Sequence, residues 1–313
     1  MKASVAFWVV ASILFSTSII TLNKSLSRTY HFHYMNSLTS FHFFTTFVCT
    51  EIMCRMGFFE RAIDYPWSKR WFISFLGVCS VVFMNFNLQK NSVGFYQLSK
   101  LCTIPTLVTF NYFYSDTKTP LMTCLSLGTL LIGVGLFSAN DVELNIEGSI
   151  LAIIAVLSTS AFQYKAGSEQ KAFSISGTSL QHATSFHQFV LSLISALAID
   201  LTGPSPIYKH EFQQQEIITI IGTAILAVGV NVSCFALIGK TSAITYQVVG
   251  HLKTILILIS GFVMFPPTQE VEKGKMIRTY VGIFISLIGI IMYTYLQNQK
   301  KPVEEDKIPF IRK

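Results

Sequence analysis

Two lysines in this 313-residue chain stand where an ammonium is costly: Lys100 in "GFYQLSKLCTIP" and Lys253 in "TYQVVGHLKTILIL". Both fall inside apolar runs. At mid-membrane a lysine costs about 2.5 to 3.5 kcal/mol on insertion scales, so it persists where it faces a partner or a watery cavity. Lys253 lies ten residues into its run. At 1.5 Å per residue that is about 15 Å deep, near the middle of a hydrocarbon core of roughly 30 Å. Lys100 lies about 9 Å from its own end, where a flexible stem can reach the interface. Helical spacing places Tyr246, Gly250 and Lys253 on one face at i, i+4 and i+7, and Tyr96, Lys100 and Thr103 likewise. Each face offers an aromatic hydroxyl, a cation, and a gap or a second hydroxyl. Such a set suits holding an anion.

The neighbouring residues extend that reading. Gly250 removes a side chain beside Lys253, which lets either a helix or a ligand approach closely. Pro105 cannot donate to the carbonyl of Leu101 and is expected to kink its span just beyond Lys100, freeing a carbonyl that must face protein or water. Asn85, Asn87, Asn231 and Ser233 read as hydrogen bonds between helices. His182, Thr184, Ser185, His187 and Gln188 make the start of another span polar, either as donors to a nucleobase or as an interface boundary. The chain has no His-Glu-x-x-His run, Gly-x-Ser-x-Gly elbow or Walker loop. No catalytic residue, cofactor or metal is therefore expected. Acids such as Glu51 and Asp200 are confined to span ends, so the intramembrane balance is positive and favours an anionic cargo. The six cysteines, Cys49, Cys54, Cys79, Cys102, Cys124 and Cys234, lack paired metal-ligand spacing and read as packing residues.

The elements that must position these residues are membrane spans. Half of the chain is apolar (51%) and 12% is charged, against roughly 25% charged in a soluble domain. No basic stripe interleaved with exposed aromatics indicates nucleic acid. Ten apolar runs are legible, at about 5 to 22, 35 to 54, 71 to 87, 94 to 114, 121 to 138, 148 to 164, 182 to 201, 217 to 237, 243 to 265 and 277 to 296. The first continues into Asn23-Lys24 without a small-residue cleavage site, so it reads as a retained span. The longest connections are near 55 to 70, 165 to 181 and 202 to 216.

Lys90, Ser92, Tyr96 and Gln97 match Lys240, Ser242, Tyr246 and Gln247 at an offset of 150, and Gly128 and Gly135 match Gly282 and Gly289 at 154. The expected fold is an all-α integral membrane protein of ten transmembrane helices in two five-helix repeats. Residues 1–145 and 146–299 form the repeats and 300–313 a tail. Five spans is an odd number, so the second repeat enters the membrane inverted, an architecture of transporters with a midplane site. Fourteen lysines and arginines fall in loops on the side of both termini and seven on the other. The positive-inside rule then puts both termini in the cytosol.

These residues resemble the nucleotide-sugar and triose-phosphate translocator family of the drug/metabolite transporter superfamily. The resemblance rests on "MNFNLQKNSVGFYQLSKLCTIP" (84–105) and "GKTSAITYQVVGHLKT" (239–254), with Asn23-Lys24 and "SLTSFHFF" (37–44) in support. It is greatest to the branch of UDP-rhamnose/UDP-galactose and UDP-xylose transporters. The resemblance implies antiport of a nucleotide sugar, UDP-galactose first, against UMP in a Golgi or endoplasmic reticulum membrane. Lys253 is then the phosphate contact and Tyr246 a sugar or ribose contact. Thr254, Gln247, Gly250, Lys100, Tyr96 and Thr103 complete the expected site, and the polar span start at 182–188 is where related carriers hold the base. Plastid phosphate translocators place arginine after the lysine where this chain has Thr254. GDP-mannose carriers have Gly-Ala-Leu-Asn-Lys where it has Gly250-His251-Leu252-Lys253-Thr254. A sugar-phosphate or triose-phosphate:phosphate translocator is the alternative, a membrane-embedded sugar-phosphate enzyme a further one. The bilayer is a partner, and a homodimer is left open.

Overall fold

The computed structural model describes residues 2–115, 118–139, 145–203, 205–264 and 273–299. Among these residues eleven α-helices follow one another and no strand occurs. They are α1 (Lys2–Thr29), α2 (Met35–Arg55), α3 (Trp67–Lys90), α4 (Val93–Leu101), α5 (Thr103–Ser115), α6 (Leu121–Ser138), α7 (Ile146–Ala172), α8 (Gly177–Ile199), α9 (Gln214–Lys240), α10 (Ala243–Met264) and α11 (Lys273–Gln299). The acids Asp141 and Glu143 and the tail from 300 onward lie outside the described residues.

The run at 94 to 114 appears as two helices. The chain turns at Cys102, whose N–H reaches back to the Ser99 carbonyl at 3.0 Å, three residues before Pro105. Losing the proline N–H removes the bond that would have carried the helix through. The repeated Lys-x-Ser motif is a helix start. Ser92 Oγ accepts from Phe95 N at 3.3 Å to cap α4, and Ser242 Oγ accepts from Thr245 N at 3.1 Å ahead of α10.

Helices outrun the apolar segments that announce them. The segment 165–181, read as a long connection, is mostly helical: α7 runs to Ala172 and α8 starts at Gly177. Hydropathy reports the part of a helix that lies in hydrocarbon, whereas backbone bonding continues into the headgroup layer when side chains permit. Here Glu169 is ion-paired to Lys69 of α3 at 2.8 Å, and Ser176 Oγ caps α8 by accepting from Ser179 N at 3.1 Å. Among the described residues seven helices are long and apolar enough to cross a membrane. The α2 helix is too polar for that count, yet Thr39, Thr45, Thr46 and Thr50 each return their hydroxyl to the carbonyl four residues back. Such bonds satisfy hydroxyls without water.

The bundle is polar within and apolar without. Phe7, Leu14, Ile132, Ile153, Ile225 and Phe284 are exposed, while Ser74, Thr184, Gln181, Ser233 and Ser286 are fully buried. A soluble protein could not afford that outer face, but lipid solvates it. The most extensive contacts pair α6 with α11, α3 with α7, α2 with α8 and α1 with α9. Asn231 Nδ2 donates to Thr46 Oγ1 at 3.0 Å and Asn87 Nδ2 to Ser99 Oγ at 2.8 Å, the interhelical role expected of these amides. Ser233 instead bonds its own helix at Val230 O.

Gly133 and Gly289 let α6 and α11 touch backbone to backbone, since a Cβ on either would strike the partner helix at Ser286 N or Leu130 N. Gly128, on the same helix, has open space where its Cβ would be. Gly133→Ala should therefore cost about 1 to 3 kcal/mol of overpacking. Gly128→Ala should be neutral or slightly stabilising, because alanine is the better helix former. Thermal unfolding of the two variants in one detergent checks the contrast; equal stabilities would show that α6 and α11 do not pack this way.

Candidate functional site

Lys253 is buried on α10, and its Nζ donates to Ser12 Oγ and Ser16 Oγ of α1, each at 3.1 Å. It also lies 5.5 Å from the Tyr246 ring centroid, within cation–π range. The two serines are one helical turn apart, so α1 presents both hydroxyls to one point. No carboxylate pairs with Lys253 among the described residues. Its charge is held by hydroxyls and a ring face, which stabilise an ammonium without neutralising it. An anion entering here would meet an uncancelled positive charge.

Lys100 on α4 has a similar ring contact, with Nζ 5.3 Å from the Tyr96 centroid. Lys100 is close enough to act by its charge on both His251 and Lys253. The repeat does not superpose the lysines: at the offset of 150, Lys100 corresponds to Gly250 and Thr103 to Lys253. Each lysine thus corresponds in the repeat to a small or hydroxyl-bearing residue.

The other expected site residues lie on α10, which carries Lys253, and on α4 and α5 to either side of Cys102. Gln247, buried, donates from Nε2 to Gln163 Oε1 of α7 at 2.9 Å. Thr254 Oγ1 is turned back on the Gly250 carbonyl at 3.3 Å. Gly250 does not serve helix packing: the nearest atom to a Cβ there is Gln247 Oε1 at 3.9 Å. Thr103 is buried and its Oγ1 has no protein partner; the same holds for Gln97 Oε1 and for Nε2 of buried His251. Three unsatisfied polar atoms around two lysines are what a ligand-binding centre leaves open.

Ser12, Ser16, Gln163 and His251 escaped the sequence reading as site residues. Serines in an apolar helix ordinarily bond their own carbonyls, and nothing local marks the two that reach across. Cys234, read as packing, does pack, against the same apolar cluster as Tyr246. The polar start of α8 does not join this centre. His182 Nε2 bonds Glu51 Oε2 at 2.7 Å, Thr184 and Ser185 bond their own helix, and His187 packs between Trp67 and Trp71. Gln188 accepts from Gln181 at 3.2 Å and lies against Gly77 of α3.

A helical bundle with a lipid-ready exterior and a buried cationic centre has the build of a multi-pass membrane transporter. The chain belongs to the Triose-phosphate Transporter family, whose profile matches residues 2–294. It is 33% identical to UDP-xylose transporter 2 of Arabidopsis thaliana, over 94% of this chain and 82% of that protein. To UDP-rhamnose/UDP-galactose transporter 1 of the same plant it is 31% identical, over 93% and 82%. A solved crystal structure shares the fold with a TM-score of 0.70 at 12% identity, covering 95% of this chain and 99% of that one.

Proposed function

We propose that this protein is a nucleotide-sugar antiporter that exchanges a UDP-sugar for UMP by alternating access across a Golgi or endoplasmic reticulum membrane. The observation that carries the reading is the Lys253 ammonium, buried among hydroxyls with no acid among the described residues to cancel it. A diphosphate crossing the low-dielectric core needs such a charge, and Lys100 supplies a second from the opposite half. The names of the relatives support a UDP-linked sugar. Thr254 in place of arginine argues against a phosphate-only cargo, since the site then lacks the extra cation. UDP-galactose heads the candidate sugars and UDP-xylose follows.

Two inverted five-span repeats, 1–145 and 146–299, are part of the proposal. Exchanging α1 with α7, α2 with α8, α3 with α9 and α6 with α11 turns the pair α1–α9 into α7–α3 and leaves α2–α8 and α6–α11 unchanged. The strongest contacts obey that exchange. So do the carboxylate contacts at the two ends of the α2–α8 pair, Asn36 Nδ2 to Asp200 at 3.0 Å and His182 Nε2 to Glu51 at 2.7 Å. Since each of these contacts joins one half to the other, two halves rocking as separate bodies would break them all. The moving bodies are therefore cross-half helix pairs, with α4 and α10 between them. Both termini face the cytosol in this reading, on the strength of the lysine and arginine asymmetry.

Purified protein in liposomes preloaded with UMP should take up labelled UDP-galactose or UDP-xylose faster than in empty liposomes. Equal rates would exclude exchange, and preference for triose phosphates in the same panel would replace the cargo. A second expectation concerns Thr254, half-buried one residue beyond the lysine. Cysteine placed there, in a background lacking the six native cysteines, should react with a thiol reagent and be protected by UMP. Labelling indifferent to UMP would remove α10 from the site.

A further inference from the structure

A cavity of about 550 Å³ lies far from Lys253, where α2 ends and α3 and α8 begin. None of its lining residues belongs to α1, α4, α5 or α10. Three arginines surround it: Arg55 closing α2, Arg61 in the linker after it, and Arg70 in the first turns of α3. Glu51 is the one acid among the lining residues. It accepts from Arg55 Nε at 2.8 Å, from a terminal nitrogen of Arg61 at 2.6 Å and from His182 Nε2 at 2.7 Å. One carboxylate against three guanidinium groups leaves the cavity positive.

Arg70 shapes the wall, donating to the carbonyls of Tyr65 at 3.0 Å and Ala62 at 2.9 Å and so fixing the linker. Arg55 gives Glu51 only its Nε–H and keeps its terminal nitrogens for another acceptor. His187, only 2% exposed, lines the cavity with an Nε2 that has no hydrogen-bond partner. Buried polar nitrogens without partners are uncommon, and aimed at a cationic cavity they mark a place for acceptor oxygens.

The outer rim is of a different kind. Ile63, Trp67 and Phe186 line the cavity and are exposed at 78%, 59% and 41%. Below them on α2 and α8, Phe47 contacts Phe186 at 5.4 Å and Phe44 contacts Phe189 at 5.2 Å between ring centroids. In a membrane-spanning bundle an exposed apolar face looks into lipid, and tryptophan at a span end sits at headgroup level. The cavity therefore joins a cationic floor at the membrane surface to an apolar slope that descends into the bilayer.

We propose that this cavity binds the phosphate of an anionic phospholipid headgroup, with the acyl chains lying along Phe44, Phe47 and Phe186. Arg55 and Arg61 donate to the phosphate oxygens, His187 Nε2 completes the donor set, and the lipid ties the end of α2 to the start of α8. A phosphate group is the shared chemistry of such a lipid and of free phosphate. The apolar slope selects the lipid.

Delipidated protein in detergent, titrated with phosphatidylinositol or phosphatidylserine, should show a saturable rise in Tm of about 5 °C at a hundredfold excess over Kd. Phosphatidylcholine, which also bears a phosphate but no net charge, should give little. The rise should vanish in an Arg55→Gln/Arg61→Gln double variant and shrink in His187→Phe, provided each elutes as a single species with the Tm of the unaltered lipid-free protein. It should persist in Lys253→Met, because the transport centre is elsewhere. An equal rise with inorganic phosphate would assign the cavity to a free anion and overturn the lipid. A rise of the same size with phosphatidylcholine, one kept by the double variant, or one lost in Lys253→Met would overturn the site.

Discussion

Lys253→Met is expected to abolish nucleotide exchange while leaving the protein at least as heat-stable as before. The ammonium is buried against two serine hydroxyls and a ring face, with no carboxylate partner among the described residues. Its removal therefore strands no opposite charge, which is the step that makes breaking a buried ion pair cost about 3 to 5 kcal/mol. Methionine fills nearly the same volume and removes the desolvation cost of the cation. Binding responds in the other direction. Losing a charge-assisted hydrogen bond to phosphate costs about 1.5 to 3 kcal/mol, or on the order of ten- to a hundredfold in affinity for UMP. Lys253→Ala should bind as poorly but unfold somewhat earlier, because it leaves a cavity. Arginine keeps the charge on a longer, planar head that Ser12 and Ser16 cannot grip as they grip an ammonium, so partial activity is its ceiling. Thermal stability and UMP binding measured on the same preparations decide the matter. A methionine variant that unfolds early, or any of them binding UMP as before, would mean that Lys253 serves the fold.

Gly250 carries the second large effect. The space beside it is open, with nothing closer to a Cβ than Gln247 Oε1 at 3.9 Å. Gly250→Ala should fold normally and transport at a reduced rate, its methyl reaching into the volume in front of Lys253. Gly250→Phe should fold as well, since the ring enters that volume and not a helix interface, yet uptake should fall by more than tenfold. Gly177→Ala is the comparison. There a Cβ would strike the Phe235 carbonyl of α9, so the loss should appear as instability. If Gly250→Phe instead unfolds like Gly177→Ala, the space beside Gly250 belongs to helix packing and the centre is not open to cargo.

Several features of this centre were legible in the chain because they obey short-range rules. The stripe Tyr246, Gly250, Lys253 follows from helical periodicity, and the cost of an intramembrane charge makes its lysine conspicuous. The break at Cys102 follows from Pro105, a covalent fact about one missing N–H. The caps at Ser92 and Ser242 are local hydrogen bonds, which is why the repeat survives there most visibly.

Other features depend on what lies across the bundle. Ser12 and Ser16 become ligands of Lys253 only when α1 is laid beside α10, 237 and more residues away in the chain. Serine in an apolar run carries no signal of which way its hydroxyl will turn. His182 and His187 read equally well as base contacts or boundary residues until α2 and α3 supplied Glu51, Trp67 and Trp71. Local sequence thus determined that this chain crosses a membrane with a buried cation and where its helices start and break, because hydropathy, caps and proline act within a few residues. The tertiary structure alone decided which polar groups surround that cation and that a second cationic cavity lies apart from it. Side-chain hydrogen bonds and ion pairs are settled by whichever helix arrives within about 3 Å, and that distance is a property of the packed bundle.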